Sequence, residues 1–234
     1  MQSSKTVTLT MAGCLRGASL CLPGLPGVIV FGMVFGTVAA QKGLTLLETA
    51  LINSVVFAGA SQFVAMEVYS DPVTWGVLIA MVGVTTAVNM RMLLIGASLR
   101  PWLGQVPAGL TYPSLFFLTD LNWLLALREY DKGERDWGLY LGSGVFLWFV
   151  WSLAMLPGYF FGSIVSDPKV WGLDVVMPAF FIALIMPLWK GRRQTMSWGI
   201  AGLVALVTWS LFGGYWSILT GGIAGALAGA YLDE

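Results

Sequence analysis

The feature that most constrains this chain is the alternation of long apolar stretches with very short polar breaks. The apolar stretches lie at about 9–40, 48–69, 73–99, 110–127, 137–164, 171–189 and 196–232. A helix needs roughly 20 mostly apolar residues to cross the hydrocarbon core of a bilayer. Most of the stretches reach or approach that length, and the breaks between them are too short for a soluble domain. The pattern therefore predicts an all-α polytopic membrane protein with a single integral membrane domain over residues 1–234.

The composition agrees with this prediction. Only 10% of the residues are charged and 57% are apolar, whereas soluble domains have about 25% charged and 45–50% apolar residues. So few charges cannot cover a water-facing surface of ordinary size. A soluble enzyme, a disordered chain and a nucleic-acid-binding protein are therefore disfavoured, and the lipid bilayer is the expected surrounding.

The chain contains no histidine, which removes several kinds of chemistry together. Ser-His and Cys-His dyads, histidine-ligated zinc and imidazole proton relays are all excluded. The two cysteines, Cys14 and Cys21, lie two helical turns apart in one apolar stretch and read as small core thiols. We therefore expect no catalytic residue, no cofactor and no metal site.

Two of the stretches contain helix breakers. The first includes Pro23-Gly24-Leu25-Pro26-Gly27, in which two prolines and two glycines remove helical hydrogen bonds. Such a break is tolerated at membrane depth only where protein or water covers the freed backbone groups. The last stretch carries Gly213-Gly214 in its middle and reads as two short helices. The sequence thus predicts seven or eight membrane-spanning helices, with the first one broken at Pro23–Gly27.

The distribution of basic residues predicts the orientation. If the N-terminus is cytoplasmic and the spans alternate, eight Lys and Arg residues lie inside and three outside. The inner group is Lys5, Arg16, Arg128, Lys132, Arg135, Lys190, Arg192 and Arg193, and the outer group is Lys42, Arg100 and Lys169. The positive-inside rule therefore favours a cytoplasmic N-terminus.

Polar residues inside the second stretch are the first candidates for function. Four small residues, Ala58 to Ser61, allow close approach of another backbone, and helix packing explains them well. Packing does not explain the neutral amide of Gln62 near the middle of the stretch. Asn53 lies closer to the end of the stretch, where lipid headgroups can solvate it. Asn53, Gly59, Ser61 and Gln62 are predicted to bind substrate.

Charged residues inside the next stretches are stronger candidates, since membrane-buried charges are costly and functional. Arg91 lies roughly 12 Å from the end of its stretch at 1.5 Å per residue, which favours an internal partner over snorkelling. Asp120 lies near the middle of its stretch, where an interfacial or capping role is not expected. It must be protonated, paired with Arg91 or in contact with a wet cavity and substrate. Asp174 lies three residues into a stretch, where an acid complements the helix dipole.

Several of these residues form a recognisable pattern. The heptapeptide Phe57-Ala58-Gly59-Ala60-Ser61-Gln62-Phe63, followed by Asn89-Met90-Arg91 and Thr119-Asp120, resembles the signature of AzlC-type branched-chain amino acid permeases. The resemblance covers residues from about 20 to 190. It departs from the family pattern at Leu121, where an acid is usual, and at Met92, where a histidine is frequent.

The resemblance implies an exporter of leucine, isoleucine and valine in the bacterial inner membrane, which works with a small AzlD-type membrane subunit. The substrate-binding candidates are Asn53, Gly59, Ser61, Gln62, Asn89, Arg91 and Asp120, and the coupling-ion candidates are Asp120 and Asp174. Two other classes stay open, namely an assembly scaffold and an intramembrane aspartyl enzyme built from Asp120 and Asp174. The G-x-x-x-G steps of Gly221, Gly225 and Gly229 fit either intramolecular packing or a subunit interface.

Overall fold

The computed structural model describes residues 7–164, 182, 191–213 and 216–233. The regular elements of this described part are helices, with one isolated β-bridge between Thr8 and Asp136. The chain divides into two compact units, residues 1–63 with 88–164 and residues 64–87 with 165–234. Asp174 and the predicted stretch at 171–189 lie outside the described residues.

The helices follow the predicted apolar stretches closely. In chain order they are α1 (Met11–Leu20), a 3-10 turn (Leu22–Gly24), α2 (Leu25–Gln41), α3 (Leu46–Leu51), a π turn (Ile52–Val56), α4 (Gly59–Val68), α5 (Trp75–Ser98), α6 (Arg100–Leu103), α7 (Ala108–Ser114), a second 3-10 turn (Leu115–Phe117), α8 (Asp120–Asp131), α9 (Gly138–Ile164), α10 (Arg192–Phe212) and α11 (Trp216–Asp233).

Four helical segments of the described part are long and apolar enough to cross a bilayer, which confirms a helical membrane protein. They are Met11–Gln41, Trp75–Ser98, Gly138–Gly162 and Thr195–Phe212. The predicted number of seven or eight spans is not confirmed. Part of the difference arises at residues 46–68 and 108–131, where an interruption leaves only short helices on either side.

The predicted break in the first stretch is present but short. The 3-10 turn Leu22–Gly24 separates α1 from α2, and each of the two prolines occupies one of the first two positions of its helix. A proline near a helix start costs no hydrogen bond, because the first N–H groups have no intrahelical partner anyway. The prolines and glycines therefore limit the break to one 3-10 turn, and Met11–Gln41 remains a single helical segment.

A glycine seam joins α1 and α2 to α9. A Cβ atom built on Gly158 would lie 1.8 Å from the carbonyl oxygen of Met33, and one on Gly36 would lie 2.1 Å from that of Met155. Gly17 faces the backbone of α9 in the same way, and Gly142 faces the backbone of α1. Residue numbers rise together along both sides of this seam. The α1–α2 segment and α9 are therefore parallel, with their backbones in direct contact.

The chain from 44 to 68 forms a hairpin, which we call the first hairpin. Along α3 and the π turn it passes the side of α9, since Tyr159 donates to the carbonyl of Leu44 at 2.9 Å and Asn53 donates to that of Trp151 at 3.2 Å. Phe57 then adopts a left-handed backbone conformation with φ of 41°. This is unusual for a bulky residue and marks the point where the helix stops.

The first hairpin reverses direction at Phe57. The amide of Gln62 in α4 donates to the carbonyl oxygen of Ile52 at 2.8 Å. In an uninterrupted helix, ten residues separate two such groups by about 15 Å, which a glutamine side chain cannot span. Beyond it, Phe63 packs edge-on against Phe35, with ring centroids 5.6 Å apart. Helix α4 therefore turns back towards the end of α9 at which the hairpin begins.

A second hairpin comprises residues 99–131. Its two ends lie together, since the rings of Trp102 and Tyr130 stack at 5.6 Å between centroids. Its tip lies deeper along α9, where a Cβ on Gly144 would be 2.7 Å from the Cβ of Phe117. The extended residue Leu118 separates the 3-10 turn from α8 at that tip. The chain thus enters along α7, reverses at Leu118–Thr119 and returns along α8.

The two hairpins enter from opposite ends of α9. The first begins beside Tyr159, near the C-terminal end of that helix. The second returns beside its N-terminal end, where Glu129 pairs with Arg16 of α1 at 2.5 Å. The stretch at 110–127, which the sequence suggested as a span, therefore returns to the end from which it came, and the stretch at 48–69 has reversed its direction by Phe63.

The second unit contains α10 and α11, which pack against each other. A Cβ on Gly221 would lie 2.8 Å from the carbonyl oxygen of Ala201, and one on Gly225 would lie 2.7 Å from the Cβ of Ala201. The hydroxyl of Thr220 donates to that of Thr208 at 2.9 Å. The G-x-x-x-G steps of α11 thus serve packing within the chain.

Candidate functional site

The tips of the two hairpins meet beside α9. The rings of Phe57 and Phe116 are 6.2 Å apart between centroids. Trp148 of α9 contacts both hairpins, because its indole nitrogen donates to the carbonyl of Ser54 at 2.9 Å and its ring lies 6.3 Å from that of Phe117. Both interruptions in the backbone therefore lie in one region.

Each tip exposes the ends of two short helices to this region. At the first tip the π turn ends at Val56 and α4 begins at Gly59, and at the second tip the 3-10 turn ends at Phe117 and α8 begins at Asp120. Helix N-termini carry partial positive charge and C-termini carry partial negative charge. Such discontinuous helices at membrane depth are the usual way in which transporters bind charged groups of a substrate or a coupling ion.

The first tip contains two buried amides that bridge the reversal. Gln62, 2% exposed, donates its amide to Ile52, and Asn53, fully buried, donates its amide to Trp151. The carbonyl oxygens of both side chains have no hydrogen-bond partner among the described residues. Leaving a buried acceptor unpaired costs about 1–3 kcal/mol.

An aromatic cluster surrounds the start of α4. The rings of Phe31 and Phe63 stack at 4.4 Å, and Trp151 lies 5.5 Å from Phe31. A Cβ atom on Gly59 would approach both Phe31 and Trp151 to 3.1 Å. Glycine is therefore the residue that lets α4 begin against these rings. These rings form a tightly packed apolar cluster at the start of α4.

Ser61 has a local role in this structure. Its hydroxyl is fully buried and donates to the carbonyl oxygen of Ala58 at 2.9 Å. The bond satisfies a carbonyl at the tip, close to the reversal. The predicted role of Ser61 in binding substrate stays a prediction.

The second tip is stabilised by a capping box. The hydroxyl of Thr119 accepts from the backbone N–H of Asn122, and the side-chain oxygen of Asn122 accepts from the N–H of Thr119 at 2.7 Å. The amide of Asn122 donates to the carbonyl of Phe117 at 2.8 Å. This reciprocal pattern satisfies backbone groups that the reversal leaves unpaired.

Asp120 is the first residue of α8, and this corrects the expectation that a capping role is unavailable to it. The break at Leu118–Thr119 creates a helix N-terminus where the sequence suggested an uninterrupted span. A carboxylate in the first turn of a helix is stabilised by the dipole. Asp120 therefore lies in an apolar stretch of the sequence and in a favourable local field.

Asp120 also forms an ion pair with Arg91 of α5. The distance from Nη2 of Arg91 to Oδ2 of Asp120 is 3.0 Å, and the two side chains are 40% and 41% exposed within the protein. The Nε atom of Arg91 is buried and unpaired among the described residues. Asn89, half-buried, precedes Arg91 by two positions on the same helix. The internal partner expected for Arg91 is present.

The structure thus groups the predicted residues by hairpin. Asn53, Gly59, Ser61 and Gln62 lie at the first tip, whereas Arg91 and Asp120 pair at the second. The sequence left open whether Trp148, which links the tips, lines a pathway or fills the bundle, and it gave no role to Asn122. The spacing Thr119-x-x-Asn122 is the available signal for the latter, because it matches a capping box inside an apolar stretch.

Charged residues also cluster at the N-terminal ends of α1 and α9. Glu129, nearly buried, contacts both Lys132 and Arg16 at 2.5 Å, and Arg16 reaches Glu134 at 2.5 Å. The hydrogen bond from Lys132 is the main cause that holds the pKa of Glu129 below its ordinary value, and the charges of Lys132, Arg16 and Arg128 act in the same direction while burial opposes them. This cluster fastens the second hairpin to α1.

The sequence profile described as AzlC protein matches residues 23–165, which contain both hairpins and all of α9. This chain belongs to the AzlC family. The inner membrane protein YgaZ of Escherichia coli K12 is 29% identical to it over 221 residues, which are 91% of this chain and 88% of that protein.

Other relatives carry less specific descriptions. An uncharacterized membrane protein of Helicobacter pylori is 27% identical over 187 residues, covering 80% of each chain. An uncharacterized membrane protein of Archaeoglobus fulgidus is 28% identical over 194 residues, covering 80% of this chain and 82% of that protein. No solved structure matches this chain.

Proposed function

We propose that this AzlC-family protein is a secondary transporter that exports small apolar amino acids, in particular leucine, isoleucine and valine. The observation that carries the proposal is the meeting of two hairpin tips that enter from opposite ends of α9, with Phe57 and Phe116 in contact. Opening one hairpin exposes the tips to one end, and opening the other exposes them to the opposite end. Alternating access needs this property.

The chemistry at the tips supports a zwitterionic substrate. Asp120 provides an anion for an ammonium group, while Arg91 offers its unpaired Nε and α8 offers its N-terminus to a carboxylate. In the described state Arg91 and Asp120 neutralise each other. A zwitterion carries both charges, so it replaces the ion pair without leaving either side chain unpaired.

The apolar part of the substrate is assigned by resemblance to the permeases and by the rings at the first tip. Phe31, Phe35 and Phe63 form a wall that matches a branched aliphatic side chain better than a polar one. The direction of transport also follows from the resemblance. A non-enzymatic role is consistent with this chemistry.

We further propose a cytoplasmic N-terminus in the bacterial inner membrane. Arg16 and Glu129 pair at the N-terminal end of α9, and Arg100 lies at that end as well, because the hydroxyl of Tyr130 donates to the carbonyl of the adjacent Pro101 at 3.4 Å. Placing Arg100 with the other basic residues strengthens the positive-inside argument.

A small AzlD-type membrane subunit is the proposed partner. Since the G-x-x-x-G face of α11 packs against α10, the subunit needs another surface. We propose one side of α10 for this contact, because among the described residues Gly199 and Gly202 have no neighbour within 4 Å and Leu206 is 67% exposed. Copurification from membranes that express both proteins tests this, and Leu206→Arg is expected to reduce it.

The experiment that tests transport is efflux of labelled leucine from cells or vesicles that contain this protein with and without the small subunit. Gly59→Leu is expected to abolish efflux while the protein still inserts, because even a Cβ at this position meets Phe31 and Trp151. Gly83→Leu in α5 is the matched control, since a Cβ there meets nothing within 4 Å among the described residues and Gly83 lies outside the proposed subunit surface. Normal leucine efflux from Gly59→Leu, or no efflux above empty membranes from the wild type, would contradict the proposal.

A further inference from the structure

The two unpaired carbonyl oxygens at the first tip, Oδ1 of Asn53 and Oε1 of Gln62, are not used by the proposed substrate contacts. Both side chains are almost completely buried. The amide of Gln62 is bonded to the carbonyl of Ile52, the residue directly before Asn53, at 2.8 Å. The two amide side chains therefore belong to adjoining positions on either side of the reversal.

The identity of these atoms as oxygens follows from their neighbours. The other terminal atom of Asn53 lies 3.2 Å from the carbonyl oxygen of Trp151, and that of Gln62 lies 2.8 Å from the carbonyl oxygen of Ile52. Only an NH₂ group can donate to a carbonyl. Exchanging oxygen and nitrogen in either amide would place two acceptors against each other, so both free atoms are acceptors.

Their location adds further negative potential. Asn53 lies in the π turn, which ends at Val56, and the last carbonyl groups of a helix carry partial negative charge. Two carbonyls of this turn already receive donors, that of Ile52 from Gln62 and that of Ser54 from Trp148. The turn that contains Asn53 is therefore rich in acceptors.

We propose that Asn53 and Gln62 bind a small monovalent cation of the size of Na⁺, with their carbonyl oxygens as ligands. Amide and backbone oxygens at the C-terminal end of a half-helix are suitable ligands for such an ion. The close packing around Gly59, where a single methyl group would meet two rings at 3.1 Å, favours an ion over a larger organic group. The indole N–H of Trp151 is a donor and is not a ligand.

The cation would act as the coupling ion of the transporter, and in this respect the inference rests on the proposed function. Arg91 and Asp120 together carry no net charge, so the bound cation adds one positive charge near the tips. That charge attracts a substrate carboxylate, and by linkage the substrate then strengthens binding of the cation. The binding itself is measured without transport, so the two proposals fail separately.

The test uses the purified full chain in mild detergent. Its melting temperature is measured in NaCl, KCl and choline chloride at equal ionic strength, and in choline chloride with isoamylamine, which offers an ammonium group without a carboxylate. A ligand that binds only the folded state raises the melting temperature with its concentration. We expect NaCl to raise it by about 2–4 °C above choline chloride and isoamylamine to leave it unchanged.

Single substitutions test whether the shift in melting temperature with NaCl depends on Asn53 and Gln62. Asn53→Leu and Gln62→Met keep approximate side-chain size and remove the oxygen ligand, so each should lose the NaCl shift. Asn122→Leu is the matched control, because Asn122 is an equally buried amide whose oxygen and nitrogen both have partners. It should lower the melting temperature in every salt but keep the NaCl shift.

The wild-type salt series decides the proposal even if a variant does not fold. Equal melting temperatures in NaCl and choline chloride would overturn it. The same holds if raising the concentration of any of the three salts raises the melting temperature to the same extent. A shift with isoamylamine but not with NaCl would show that an ammonium group occupies the amides, and would also overturn it. Retention of the NaCl shift in both Asn53→Leu and Gln62→Met would place the cation elsewhere.

Discussion

Arg91 and Asp120 connect α5 to the tip of the second hairpin through an ion pair of 3.0 Å. Close to this pair, the indole N–H of Trp123 donates to the hydroxyl of Ser98 at 2.8 Å. The ion pair therefore belongs to a contact between α5 and α8 that extends beyond two charges. Moving the second hairpin away from α5 requires this pair to separate or to exchange partners.

The first prediction concerns this ion pair. Asp120→Asn leaves Arg91 without a counter-ion, and an Arg at mid-membrane costs about 2.5–3.5 kcal/mol on insertion scales. We expect this variant to lose leucine efflux and to give a reduced folded yield, measured by fluorescence-detected size-exclusion chromatography.

The double variant separates structure from transport. Adding Arg91→Gln to Asp120→Asn removes the uncompensated charge and should restore the folded yield but not efflux. Full efflux from Asp120→Asn alone would show that Asp120 is not needed for either role.

The second prediction concerns the reversal of the two hairpins. In a variant without Cys14 and Cys21, single cysteines are placed at Lys42, Ser70, Gln105 and Asp131 and labelled in intact cells with a membrane-impermeant maleimide. Because each hairpin returns to its own end, 42 and 70 should react from one side of the membrane, and 105 and 131 from the other.

Spans at 48–69 and 110–127 give a different labelling pattern. In that case positions 42 and 105 would react from one side of the membrane, and positions 70 and 131 from the other. Permeabilised cells, in which all four positions should react, provide the control for exposure. The hairpin interpretation does not survive if 42 and 70 label from opposite sides.

The third prediction concerns the glycine seam. Gly158→Ala introduces a methyl group 1.8 Å from the carbonyl oxygen of Met33, so α2 and α9 must move apart. Overpacking of this kind costs about 1–3 kcal/mol or more, which should lower the melting temperature by several degrees, as checked by a thermal scan in detergent. Gly83→Ala is the control and should be neutral, because a Cβ there meets no atom of the described residues within 4 Å.

The fourth prediction concerns pH. The pKa of Glu129 is held below its ordinary value of 4.5 by Lys132 and nearby cations, so the folded state favours the carboxylate. Its contribution to stability is present at neutral pH and is lost as the pH falls below 4.5 through the lowered pKa. Glu129→Gln should therefore melt below the wild type at pH 7 and approach it at low pH. A constant difference across this range would contradict the prediction.

Most helix positions could be predicted from the sequence because apolar stretches and charged breaks report directly on burial in lipid. The points at which the chain reverses its direction could not be predicted in the same way. The strongest breakers, Pro23 and Pro26, produce only a short 3-10 turn. The reversals occur at Phe57 and at Leu118–Thr119, which contain neither glycine nor proline. The first depends on contacts such as the bond from Gln62 to Ile52, which no local pattern reports, whereas the capping-box spacing of Thr119 and Asn122 is a local signal for the second.

The candidate site shows the same division. A polar residue in an apolar stretch is visible in the sequence, so Asn53, Gln62, Arg91 and Asp120 could be selected. Which of them meet could not be predicted, because partners such as Asn53 and Trp151 are 98 residues apart. The ion pair was one of three compensations open for Asp120. Asp120 pairs with Arg91 because the turn at Leu118–Thr119 sets the direction of α8.

The distance in sequence between the first hairpin and α9 has a consequence for biosynthesis. Asn53 finds its acceptor only after the ribosome has added 98 more residues, which takes roughly 5–20 s at bacterial or eukaryotic elongation rates. Until then the first hairpin has no α9 to lie against, and its buried amides must be sheltered by the insertion machinery or stay outside the lipid. The nascent chain therefore passes through a period in which it depends on a chaperoned environment, and a ribosome stalled before α9 emerges would leave a fragment exposed to membrane proteases.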